Sequence, residues 1–363
     1  MSSPVTETVG TEHMNNYDIS NNLILGVDTH LDNHVAVLIN NIGQVIDTQE
    51  FSVNSSGYSQ LYKWCKSFGT VNQAGLEGTG TYGAGLCKFL QDKHITVFEV
   101  NRPNRAVRRL RGKSDPTDAE NAARSVLANE STAIPKSHDG KVEAMRFLVV
   151  ARKSSVKSKT QAINQIRALL VTAPEHIRQK CYVPSSYQCI LACKALEMNS
   201  DSILEETLIS MLNLLAKRWE MLSHELKTID KQLKALTSSA ASTLLEQYGV
   251  GSYVAATLLV AAGDNPERLK KESSFAALCG ASPLDASSGK KQRHRLNRGG
   301  ARDANNALWT VALIRMRNDS RTRKYVEKRS SEGKSNKEIQ RCLKRYIARE
   351  LYPIIVSDLS KLT

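Results

Sequence analysis

Apolar residues along this chain change their spacing as it proceeds, and each change marks a change of structure. From Leu23 they come in short runs bounded by Gly, Asn and Asp. Leu23–Asp28, His34–Ile39 and Gln44–Val53 read as three β-strands, and Ala74–Glu77 and Ile95–Asn101 as two more. Between them, Tyr58–Ser67 and Gly83–Lys93 have helical spacing, and another helix is expected from near Asp115. The predicted order βββαβαβα is that of an α/β RNase H-like fold, a mixed sheet with helices on its faces. Residues 1–20 are polar, rich in Ser, Thr and Asn and aperiodic, and read as a disordered leader.

Farther on, the period lengthens. Leu208, Leu212, Leu215, Trp219, Leu222, Leu226, Ile229, Leu233 and Leu236 recur in steps of four and three, a heptad seam. Such a seam needs a mate, either the preceding helix Glu143–Leu170 or a second protomer. Helical signals follow at Ala241–Tyr248, Ser252–Ala262, Ser273–Cys279, Ala304–Arg315 and Lys337–Leu351. The stretch Ala286–Arg302, rich in Ser, Gly and basic residues, interrupts them and reads as an exposed loop. The expected organisation is a leader over 1–20, a nuclease-like domain over 21–135, a helical coiled-coil linker over 136–240 and a mostly α-helical domain over 241–363.

Charge narrows the function class. Fifty Lys and Arg against 36 Asp and Glu leave a formal net charge of +14, the footprint of a polyanion binder, with nucleic acid as the first candidate. No apolar run is long enough to span a bilayer and no basic segment leads into a signal core, so a soluble, cytoplasmic protein without membrane contact is expected. Cysteines 65, 87, 181, 189, 193, 279 and 342 are scattered without a CxxC pair, which suggests neither disulfides nor zinc.

Four carboxylates stand out. Asp28 and Glu77 each end an apolar strand, and Asp115 and Asp118 lie three apart at a helix start, where both face one side. Gathered together they would need cations, and hard oxygen ligands select Mg²⁺ or Mn²⁺. Each has a plainer reading: Asp115 before Pro116 as a helix cap, Asp28 as a turn residue, Glu77 as part of a glycine-rich turn. Their joint placement in one topology favours a catalytic site. Arg102, Arg105, Arg108, Arg109, Arg111 and Lys113 crowd the approach to Asp115 and could hold a phosphate backbone across it. Tyr248-Gly249-Val250-Gly251-Ser252 is similar to a helix-hairpin-helix turn, in which the backbone around Gly249 and Gly251 can meet phosphate.

In this order the residues resemble the DEDD transposases of bacterial insertion sequences, relatives of the Piv invertase described as bridge-RNA-guided recombinases. The matching pieces are Gly26-Val27-Asp28-Thr29-His30, Glu77-Gly78-Thr79-Gly80-Thr81-Tyr82 and Lys113-Ser114-Asp115-Pro116-Thr117-Asp118-Ala119. Others are Ser287-Ser288-Gly289, Arg293-His294-Arg295-Leu296-Asn297-Arg298-Gly299-Gly300 and the run Arg341–Glu350. The resemblance covers nearly everything from Leu23 to Pro353. It implies a RuvC-like domain holding Mg²⁺ (or Mn²⁺) on Asp28, Glu77, Asp115 and Asp118. It also implies a nucleophilic serine, Ser288 with Ser287 as the alternative, among phosphate-holding Lys290, Lys291, Arg293, Arg295 and Arg298. The implied partners are double-stranded donor and target DNA, an element-encoded guide RNA and further copies of the chain in a homodimer or homotetramer, near the nucleoid. The leader and Asp303 depart from the family pattern. Two rival classes are an actin-like kinase or ATPase, which would need a second copy of the core, and a non-catalytic basic nucleic-acid-binding scaffold.

Overall fold

The computed structural model describes residues 22–100, 114–197, 202–289 and 294–362. The chain divides into two compact units, Met1–Lys136 and Ser137–Thr363.

In the first unit β1 (Asn22–Thr29), β2 (Asn33–Ile39) and β3 (Val45–Ser52) form an antiparallel meander. Strands β4 (Thr70–Leu76) and β5 (Thr96–Glu99) follow in parallel on the other side of β1, giving the order β3-β2-β1-β4-β5. Helices α1 (Ser55–Phe68) and α2 (Ala84–Asp92) cover one face, where Leu23, Leu25 and Val27 meet Leu61, Leu86 and Leu90. Helix α3 (Asp115–Leu127) covers the other, packing Ala119, Ala123 and Val126 on Ile24, Val35, Val37 and Ile39. Coverage of both faces explains why β1 reads as a continuous apolar run rather than an alternation. Side chains still alternate, so Asp28 falls on the α3 face with Ile24 and Gly26.

Helix α3 lies directly on the sheet backbone. Gly26 and Gly75 are register partners on β1 and β4. A Cβ at Gly26 would stand 2.0 Å from the Ala119 carbonyl oxygen, and one at Gly75 would stand 2.6 Å from that of Ala122. Strand β4 begins at Thr70, ahead of the expected Ala74, because Thr70, Val71 and Gln73 pair with the first half of β1, exposed Asn72 sitting at a register shift between them. Those polar residues carried no strand signal.

The second unit is helical. Helices α4 (Lys141–Val171) and α7 (Ile203–Ala240) pair antiparallel along their length, with α5 (Glu175–Cys181) and α6 (Ser186–Lys194) closing one end. There Ile163, Ile166 and Leu170 meet Ile209, Leu212 and Ala216. At the opposite end, Val142, Met145 and Val149 meet Leu233 and Ala240. The heptad seam therefore finds its mate within the chain. Along it, Ser155 donates to Glu225 Oε1 at 2.6 Å, Arg152 pairs with Asp230 at 2.6 Å, and Lys159 Nζ stands 4.1 Å from the Trp219 ring centre.

Helices α8 (Ser242–Leu245), α9 (Ser252–Ala262), α10 (Glu272–Leu278), α11 (Arg302–Asn318), α12 (Ser320–Ser331) and α13 (Asn336–Ser360) complete the body. Phe275, Leu258, Leu259, Leu308, Val311, Ile347 and Ile355 fill its core. Helix α12 escapes the sequence reading because its two apolar residues, Tyr325 and Val326, are adjacent and set up no helical spacing. Thr322 is its buried residue, and its start is capped by Asp319. Helix α13 runs past the expected Leu351 and through Pro353, since Ile355 and Leu359 prolong its buried stripe. The seven cysteines are free, and Cys181, Cys189 and Cys193 pack in the cluster at the closed end of the helix pair, as small apolar residues would. No helix among the described residues is long and apolar enough to cross a membrane.

Candidate active site

The sheet and α3 bring together three of the four carboxylates. Asp28 sits near the end of β1, buried on the α3 face, and Asp115 and Asp118 lie in the first turn of α3. Ser114, not Asp115, occupies the N-cap, so the capping explanation of Asp115 does not hold. Asp118 is 3 % exposed, whereas Asp115 is half-buried. Burial raises the Asp28 pKa above its usual value; His30 opposes the shift, while the charges of Asp118 and Asp115 add to it. Three acids thus share one electrostatic neighbourhood, at a cost that grows as water is excluded.

Glu77 follows β4 directly. Its amide donates to the Val27 carbonyl at 3.2 Å and its carbonyl accepts the Thr29 hydroxyl at 2.7 Å, which ties its backbone to β1 beside Asp28. The turn after it is closed by Gly83 N donating to Gly78 O at 3.1 Å, with Gly78 at φ 72°, a conformation that favours glycine. Strand alternation carried one residue past Leu76 places Glu77 on the face that holds Gly75 and Asp28.

The sequence reading gave His30 no role. Its Nε2 lies 3.2 Å from Asp28 Oδ2 and 3.4 Å from Asp115 Oδ2, bridging the two acids. One donor atom from each of these three residues falls within 4.8 Å of the others, close enough to share a metal ion. The available signal was a histidine two positions after a strand-end acid. The donor set of carboxylate oxygens and an imidazole nitrogen, with repulsion among the acids, could hold a divalent cation.

In the second unit the basic loop contains a short ribbon, β6 (Leu284–Asp285) paired antiparallel with β7 (His294–Arg295). Ser287 and Ser288 follow β6 and are exposed. Asp285 Oδ1 accepts the Ser287 amide at 2.8 Å, and hydrogen bonds from the Ser287 hydroxyl and amide hold the Asp285 carboxyl below its usual pKa. Gly289 has φ 55° and open space around its Cβ direction. Arg295 and Arg298 are exposed beside the ribbon, whereas Lys290, Lys291 and Arg293 lie outside the described residues. So do Arg102, Arg105, Arg108, Arg109, Arg111 and Lys113.

The base of this loop is tied to the helical body. Ala301 N donates to Leu278 O at 2.7 Å, and Asn305 Nδ2 donates to Cys279 O and Gly280 O at 2.9 and 3.0 Å. Buried Lys344 donates to Asn305 Oδ1 at 2.8 Å. Asp303 pairs with Lys153 at 2.8 Å, which gives this atypical acid a structural partner. Of the basic residues on α13, Lys344 and Arg345 are used internally, the latter by Glu272, while Lys337, Arg341 and Arg349 face solvent. Gly249 and Gly251 form the turn between α8 and α9; Gly249 has φ 85°, and nothing lies within 4 Å of the Cβ direction of Gly251.

Residues 25–173 match a transposase family model of the DEDD type, and residues 241–327 match a model described as the transposases of the IS116/IS110/IS902 family. A Sinorhizobium fredii protein with the provisional name transposase y4pF/y4sB is 27% identical over 186 residues, 50% of this chain and 46% of that relative. The match therefore spans about half the length of the relative.

Proposed function

The chain belongs to the IS110-type DEDD transposases, and from that premise we propose that it recombines double-stranded DNA to move an insertion sequence. The convergence of Asp28 with Asp115 and Asp118 of the first turn of α3, with the Glu77 backbone bound to β1, is the observation that carries the reading. We read the first unit as an RNase H-like, RuvC-like domain. The strand order β3-β2-β1-β4-β5 and acids at the ends of β1, β4 and the start of α3 support this. The rival kinase reading needs a second such sheet; among the described residues the second unit is helical apart from the ribbon.

Asp28, Glu77, Asp115 and Asp118 would hold Mg²⁺ or Mn²⁺. Such ions, when bound, polarise the scissile phosphate and stabilise charge on the attacking and leaving oxygens. The chain's own residues do the rest. Ser288 supplies the nucleophile: its Oγ–phosphorus bond forms as the bond from phosphorus to the departing strand oxygen breaks. The serine proton is lost and the leaving oxygen gains one. Ser288 is preferred for its place directly before Gly289 in the Ser-Ser-Gly motif. Arg295 and Arg298, with Lys290, Lys291 and Arg293, hold the phosphate and steady developing charge. The arginines before Asp115 draw the DNA backbone to the acids, and the Gly249–Gly251 turn offers it backbone amides.

A guide RNA encoded by the same element, assembly as a dimer or tetramer and the three-part domain division over 21–135, 136–240 and 241–363 complete the proposal. The net charge of +14 supports a second polyanionic partner. The test combines purified protein, guide RNA, donor and target DNA and Mg²⁺. Recombinant product is expected, and Asp28→Ala should abolish it. Absence of product from the native chain, or undiminished product from Asp28→Ala, rejects the reading.

A further inference from the structure

We propose that His30 is a nitrogen ligand of the metal centre, which makes it a mixed nitrogen and oxygen site that prefers Mn²⁺ to Mg²⁺. The inference rests on the reading of Asp28 and Asp115 as metal ligands and adds a donor that the four-carboxylate pattern does not contain. His30 Nε2 lies 3.2 Å from Asp28 Oδ2 and 3.4 Å from Asp115 Oδ2. An octahedral ion with bonds of about 2.1 Å sets neighbouring donors roughly 3.0 Å apart. Both separations are close to that spacing. A hydrogen bond alone explains the arrangement less well, because Nε2 carries at most one hydrogen and two carboxylates converge on it.

Burial does not force this placement. The His30 side chain is 46% exposed and that of Asp115 48%, so either could turn to water. The chain also contains a contrasting histidine. His34, four residues on, is fully buried and stacks parallel to Tyr58 at 6.0 Å. It packs with the α1 and α2 side of the sheet, away from the acids. His30 is thus the imidazole available to the centre among the described residues.

Donor chemistry decides the ion. Mg²⁺ favours all-oxygen shells and keeps several waters, whereas first-row ions bind imidazole more readily along the series that begins with Mn²⁺. Removing the nitrogen should therefore weaken Mn²⁺ more than Mg²⁺.

The experiment uses the full chain and each metal alone. Mn²⁺ bound to the native protein should show nitrogen hyperfine modulation in its electron spin-echo spectrum, and His30→Ala should remove it. Calorimetric titration should show Mn²⁺ affinity falling about tenfold or more in His30→Ala and Mg²⁺ affinity falling less. His30→Gln should reproduce the loss of modulation if the alanine variant proves unstable. Modulation absent from the native protein, or persisting in both variants, overturns the proposal. Asp28→Ala separates the two readings. If it abolishes Mn²⁺ binding while the native spectrum lacks nitrogen, the carboxylate centre stands and His30 is not its ligand. If Mn²⁺ binding ignores Asp28→Ala, the centre itself is misassigned and this proposal falls with it.

Discussion

Gly26→Ala tests how the site is built. A methyl group at this position would lie 2.0 Å from the Ala119 carbonyl oxygen, 2.6 Å from the Ala123 nitrogen and 2.8 Å from the Ala123 Cβ. Ordinary contact needs about 3.5 Å, so α3 would have to retreat from β1 by roughly 1.5 Å. Backbone atoms supply the two closest contacts, so no side chain can swing aside to absorb the clash. Overpacking of this kind costs about 1–3 kcal/mol. The functional cost should be larger in proportion, because Asp115 and Asp118 travel with α3 while Asp28 stays on β1. A displacement near 1 Å costs on the order of 100-fold in rate when reacting groups must be held in register. The assay pairs a denaturant midpoint with metal-dependent DNA cleavage. Gly75→Ala serves as the graded control, since its nearest backbone contact, at 2.6 Å, demands a smaller retreat. Cleavage should fall most in Gly26→Ala and less in Gly75→Ala. A Gly26→Ala protein that melts and cleaves like the native one would refute the claim that backbone contact sets the site's dimensions.

Other outcomes follow from the same structure. Ser288→Ala should abolish the covalent protein–DNA adduct on a denaturing gel while Ser287→Ala retains some; the reverse result would exchange their roles. Leu233→Ala, at a side chain 1% exposed where α7 meets the helical body, should lower unfolding free energy by about 2–5 kcal/mol in urea titration. Burial works against the charged form of Glu143, but hydrogen bonds from Arg146 and His138 outweigh it and hold its pKa below 4.5. A depressed acid contributes stability above its unfolded pKa and loses it as pH falls through the folded one. The stability advantage of native protein over Glu143→Gln should accordingly be complete at neutral pH and decline once pH falls below the ordinary glutamate value of about 4.3. An advantage that does not change with pH would dissociate this carboxylate from the effect.

The sheet was legible because β1 and β2 are apolar almost throughout, and the acids because three of them terminate or begin elements whose periodicity is strong. Polar elements were not. The first half of strand β4 holds polar Thr70, Asn72 and Gln73, and α12 buries little beyond Thr322, so neither offers the contrast that reveals an element. The heptad of α7 was plain, yet its mate was open, because a seam specifies a surface and α4 supplies it only once the intervening chain folds back. His30 was visible as a letter in the Gly26–His30 motif. Its significance depends on Asp115, distant in sequence, coming within 3.4 Å of its ring. Lys344 read as one of several basic residues on a wet helix; the fold turns it inward to Asn305.

The paired helices α4 and α7 behave as a ruler. At 1.5 Å per residue, the 31 residues of α4 span about 46 Å, from the helical body to the cluster closed by α5 and α6. Because the pairing repeats every seven residues, removing one heptad from each helix would shorten that reach by about 10 Å while leaving both terminal clusters in phase. The distance at which the distal cluster is presented is thus an adjustable length, separable from the packing at either end.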